Sequence, residues 1–197
     1  HMHRDNCAYS GEKMSKLIRV LSLFSVLLAL PSKSSSIELV IGTERIEPGI
    51  IAIFEGAIKD IIEPREMHLE ETLTDVHIEA RINWDTENIP AGTPSGGFVP
   101  YLHVTALITN QKTNLRTFID LKPHMNLIDN FHYARNISLP GAVNDPYSVE
   151  FKIMPPDGSE LALHKDWKDN YGTTLFSGVS FSYKDVNFEE IAKATRR

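Results

Sequence analysis

Three short stretches carry the residue types that bind metal ions. In the first, His77 and Glu79 stand two apart within Thr74–Trp84, where Val76, Ile78, Ala80 and Ile82 alternate with His77, Glu79, Arg81 and Asn83. Such alternation marks a strand with one apolar face, and side chains two apart share a face. An imidazole and a carboxylate are thereby offered to one cation; the plainer reading is the wet side of a sheet. The second stretch, Met125-Asn-Leu-Ile-Asp129-Asn-Phe-His132, supplies a thioether, a carboxylate and an imidazole within eight residues. Methionine usually fills cores, yet Met125 stands among Pro123, His124 and Asn126, a polar setting. The third is His164-Lys-Asp166, beyond the Pro155-Pro156 turn. A lone loop histidine ordinarily binds nothing.

Donor type narrows the ion. Nitrogen with thioether favours copper, above all Cu(I), and carboxylates widen the choice toward Cu(II), zinc, manganese or Fe(II). Cys7 is the sole cysteine of the 197 residues, so an intrachain disulfide and a thiolate zinc site are both excluded. There is no glycine-rich phosphate loop, no nucleophile elbow and no serine–histidine–acid arrangement.

The elements that must position these donors read as strands. Glu38–Ile41, Gly49–Phe54, Thr74–Trp84, Tyr101–Thr109, Leu115–Leu121, Ala134–Leu139, Tyr147–Met154 and Ser177–Val186 are short apolar or alternating runs. Turn residues separate them, as at Ala91–Gly97, Asn110–Asn114 and Met154–Gly158. A helical period is missing except for one turn's worth over Phe188–Lys193. Seven or eight such strands predict an all-β antiparallel sandwich. Asn136-Ile-Ser138 also fits a glycosylation sequon.

Charge is uneven. The net −6 splits into +3 over the first 36 residues and −9 over the rest. An acidic body attracts cations and argues against nucleic acid as a partner. From Met14, the basic Lys16 and Arg19, the apolar run Val20–Leu30 and the small residues of Pro31–Ser36 form an export signal peptide. The run is too short to span a bilayer comfortably. The expected organisation is therefore an extension and signal over 1–36, one domain over 37–190 and a tail over 191–197.

Taken together, these motifs resemble the periplasmic iron-transport-associated proteins of the P19 and Tp34 type. The resemblance runs from about Gly49 to Tyr183. It rests on Ile51-Ala-Ile-Phe54, Glu63-Pro-Arg-Glu-Met67, Asp75-Val-His-Ile-Glu-Ala80, Val99-Pro-Tyr-Leu102, Met125…Asp129…His132-Tyr133, Pro155-Pro156 and His164-Lys-Asp166. It implies an immunoglobulin-like sandwich that forms homodimers in the periplasm and binds copper. It also implies a role in iron acquisition beside an inner-membrane iron permease, by delivery or by ferric/ferrous redox. The ligands it implies are His77, Met125, His132 and His164, with Glu79 at or beside the metal, Asp129 near a second cation and Met67 as a further donor. Iron, manganese or zinc are the other ions this set accommodates. Two rival classes remain: an immunoglobulin-like surface module binding a host protein, and a metal-dependent hydrolase or oxidase.

Overall fold

The computed structural model describes residues 37–196; the expected signal peptide and the segment before it lie outside the described residues. The described residues form eight antiparallel strands: β1 (Glu38–Ile46), β2 (Ile50–Ala57), β3 (Val76–Trp84), β4 (His103–Asn110), β5 (Arg116–Asn126), β6 (Asn130–Ile137), β7 (Pro146–Met154) and β8 (Val179–Asn187). Two short helices, α1 (Lys165–Tyr171) and α2 (Glu189–Lys193), complete it. Among the described residues no helix is long and apolar enough to cross a membrane.

The strands run in the order β1-β2-β3-β6-β5-β4-β7-β8. β5 is the hinge of this arrangement. Its residues from Arg116 to Leu121 pair with β4, whereas Lys122 to Asn126 pair with β6. It therefore belongs to two layers, β1-β2-β3-β6-β5 and β5-β4-β7-β8. The outer strands β1 and β8 approach at the other side, where the Tyr183 hydroxyl donates to Glu44 Oε1 at 2.9 Å, so the sheet nearly closes into a barrel. Gly42 is required there, because any Cβ would collide with the Tyr183 ring.

Between the layers lies the core. The alternation read from β3 holds: Val76, Ile78, Ala80 and Ile82 are fully buried. Phe54 of β2 stacks on Phe151 of β7 with ring centroids 4.1 Å apart, joining the layers at their centre. Tyr133 of β6 is fully buried; its hydroxyl donates to Val99 O at 2.6 Å and accepts from Leu102 N at 3.1 Å, which fixes the approach to β4. Ile191 and Ala192 of α2 also enter the core, so packing continues beyond residue 190.

Two strands outrun the expectation. β5 continues through Pro123 to Asn126, and β6 begins at Asn130 rather than Ala134. The three-residue turn between them is built by asparagines: Asn126 Oδ1 accepts from the backbone N–H of Ile128 (2.9 Å) and Asp129 (2.6 Å), and Asn130 takes the left-handed conformation at φ 62°. Helix α1 was not expected, having only seven residues and no buried side chain.

Phe54→Ala removes the stacked ring from the centre of both layers, and should cost about 3–5 kcal/mol of unfolding free energy in urea titrations. A loss below about 1 kcal/mol would mean the layers are not joined there.

Candidate metal centre

The face of β3 opposite the core is not wet. His77 and Glu79 are only 2% and 3% exposed, and Glu55, His132 and Asn136 beside them are equally buried. The cover is the segment 58–75, with short 3-10 turns at Arg65–Met67 and Glu71–Leu73. Asn136 holds it down: its Nδ2 donates to Asp60 O (2.8 Å) and Leu69 O (3.0 Å). That amide is fully engaged, which leaves the sequon at Asn136 closed to modification.

Strand register brings the imidazoles together. His77 pairs across with Asn136, Glu79 with Ala134, and His124 with His132. One candidate ligand nitrogen from each of His77, His124 and His132 lies within 4.8 Å of the others. The small Ala134 leaves the space between them open, and a cleft of about 690 Å³ extends over His68, His77, Glu79, His124 and His132.

The hydrogen bonds assign the tautomers. Because Asn136 donates through Nδ2 to two carbonyls, its Oδ1 must accept, and His77 Nδ1–H donates to it at 2.7 Å. His132 Nδ1–H donates to Asn130 O at 3.0 Å. Both rings therefore keep an Nε2 lone pair for the cleft, 3.5 and 3.7 Å from Glu79 Oε1. Partner groups of this kind are what orient metal-binding histidines. His124 goes further: both its ring nitrogens are buried without any hydrogen-bond partner. Buried polar atoms are rarely left so, and a cation facing three lone pairs, one from each ring, would satisfy the unprotonated nitrogen of His124.

Electrostatics point the same way. Burial pushes His77 and His124 down to about 4, and lowers His132 as well. All three are neutral at pH 7, the form that binds metal. Burial raises Glu79 to about 8, assisted by the charges of Asp129 and Glu55. Arg81 donates to both carboxylate oxygens of Glu55, at 2.8 and 2.7 Å. Glu79 thus carries a proton at neutral pH unless a cation replaces it.

Of the residues singled out in the sequence, His77, Glu79 and His132 come together in the cleft. Asp129 is half-buried at the hairpin turn, where it accepts from Asn126 Nδ2 at 3.0 Å and acts on Glu79 through its charge. Met67 and Met125 reach the rim of the cleft but are 76% and 65% exposed. His164 is exposed at the start of α1, whose Trp167 packs on Trp84 at the end of β3 remote from His77. Seven residue steps of strand separate His77 from Trp84, roughly 23 Å. His68 and His124 complete the cluster, and only the extended β5 and the covering loop make them part of it.

Residues 35–190 match the family described as Fe2+ transport protein. The chain belongs to that family. Within it, the chain is similar to a 34 kDa membrane antigen of Treponema pallidum (strain Nichols), 34% identical over 92 residues, or 47% of this chain. The chain spans only 44% of that relative's length. Two of the solved structures that share the fold hold copper. A copper-bound variant of FetP from uropathogenic Escherichia coli strain F11 is 25% identical, with a TM-score of 0.61 over 77% of this chain and 99% of that one. Copper-reconstituted P19 of Campylobacter jejuni is 26% identical, with a TM-score of 0.62 over 75% and 94%.

The opposed pKa shifts set a pH profile. Between pH 4 and 6.5 the unfolded histidines bind protons that native His77 and His124 refuse, so stability rises with pH. Between pH 4.5 and 8 native Glu79 holds a proton that the unfolded carboxylate releases, so stability falls with pH. Two groups outweigh one below 6.5, and the metal-free protein should gain from this cluster up to about pH 6.5 and lose above it. Glu79→Gln should abolish the loss between pH 6.5 and 8 in urea midpoints; an unchanged decline would contradict the assignment.

Proposed function

We propose that this protein is a periplasmic copper-binding accessory of iron acquisition, which assists an inner-membrane iron permease by delivering metal or exchanging electrons with iron. The observation that carries the reading is His124, whose two orphaned nitrogens lie among the neutral imidazoles of His77 and His132. The copper-bound FetP and P19 structures, similar over three quarters of the chain, support copper as the ion. On this reading His77, His132 and Glu79 hold the metal, His124 stands with them, and Asp129 lends negative charge to an adjacent cation. Bound copper would supply one-electron exchange with iron.

Asn136 and Asn130 fix the histidine tautomers, the covering loop limits water, and Glu79 exchanges its proton for the cation's charge. Such a site is suited to carrying or accepting an ion rather than to transforming an organic substrate. The protein would work as a homodimer of immunoglobulin-like sandwiches. His164, placed far from the cleft of its own chain, would then serve only a site on another copy.

Calorimetric titration at pH 7 in buffers of different ionisation enthalpy should show one copper bound per chain with roughly one proton released. Glu79→Gln should remove that release, and His132→Ala should weaken binding by about 100-fold. Absence of stoichiometric metal after dialysis, with no rise in melting temperature on adding it, would favour the surface-module reading instead.

A further inference from the structure

The β5–β6 hairpin presents two different donor faces. His124 lies opposite His132 on the face that carries His77 and Glu79, whereas Met125 lies opposite Phe131 on the other. Met125 continues the series Ile119, Leu121, Pro123, the side of β5 that faces the core farther back. At the hairpin it reaches the rim of the cleft and is 65% exposed, while Phe131 stacks on Phe98 with centroids 5.5 Å apart. Exchanging His124 for Met125 would take a one-residue slip of β5, which turns every side chain of a strand to its other face. That slip would carry Leu121 out of the core, where it is now 2% exposed.

The covering loop contributes from the opposite side. His68 lines the same cleft and sets its ring edge-on to His124, with centroids 5.3 Å apart. Four imidazoles and one carboxylate thus converge on the cleft, and both neighbouring thioethers, Met67 and Met125, remain mostly in solvent.

We propose that this chain binds its metal through imidazole and carboxylate donors without a thioether, with His124 as the third nitrogen ligand and His68 as the fourth. This donor set selects divalent copper over Cu(I), because nitrogen and oxygen suit the divalent ion and the soft sulfur that favours Cu(I) is missing. The inference rests on the metal-binding reading above and specifies its oxidation state. The site would hold Cu(II) more tightly than Cu(I).

The test is competitive titration of the whole chain with Cu(II) and, anaerobically, with Cu(I), against chromogenic chelators, together with electron paramagnetic resonance of the Cu(II) form. The Met67→Ala/Met125→Ala double variant should bind both ions within about twofold of the wild type. His124→Ala should lose Cu(II) affinity by about 100-fold, a direct ligand costing at least as much as the outer-shell partners that cost 10–100-fold. His124→Met, which keeps the side chain's bulk, should shift preference toward Cu(I). The resonance spectrum should carry hyperfine structure from at least three nitrogens, reduced by one in His124→Ala. A tenfold or greater loss of Cu(I) affinity in the double variant, with His124→Ala unchanged, would overturn this inference alone. A wild-type chain that binds neither ion would sink the copper reading itself.

Discussion

The side-chain amide of Asn136 is the interaction on which the rest of the site depends. It accepts from His77 and donates to the carbonyls of Asp60 and Leu69, so one group orients a ligand and fastens the lid above it. Without that clamp, the segment 58–75 has no regular strand or long helix to hold it over the sheet. With it, a strip of polar side chains that a sandwich would normally turn to water becomes the floor of a covered cleft. Buried polar networks raise the stakes of every partner. Among the described residues, the buried side-chain nitrogens and oxygens left without a hydrogen bond are the two ring nitrogens of His124.

Charge balance explains why the strip persists. Glu55 and Glu79 are cross-strand neighbours on β2 and β3, both almost fully buried. Two buried carboxylates side by side cannot both ionise cheaply. Arg81 neutralises Glu55, and a proton neutralises Glu79. That proton stands in for a cation, and the three neutral imidazoles around it ask for the same replacement. The arrangement costs stability in the empty protein and returns it when an ion binds, the usual coupling of metal affinity to folding and protonation.

Much of this was legible in the residues. The alternation over Val76–Asn83 placed His77 and Glu79 on one face because the buried residues between them leave a strand no other choice. Burial of that face was not legible, since it comes from a covering segment with no periodicity of its own. The hairpin was missed for a related reason. Pro123 reads as the end of a strand, but β5 has left β4 by then and exposes one edge, where a missing N–H is tolerated. With the strand read as ending at Leu121, the face of His124 against that of Met125 could not be assigned. The family pattern pointed to the methionine, which reaches the rim of the cleft, and the register places the histidine beside His132. Helix α1 left no trace because six of its seven residues are exposed and the half-buried Trp167 alone makes no apolar stripe.

The most direct test of the central claim is diffraction from copper-loaded crystals at the copper absorption edge. The account predicts a single strong anomalous peak in the cleft, about 2 Å from Nε2 of both His77 and His132 and within bonding distance of a ring nitrogen of His124. A peak elsewhere on the surface, or ordered water alone bridging the three imidazoles under saturating copper, would contradict it.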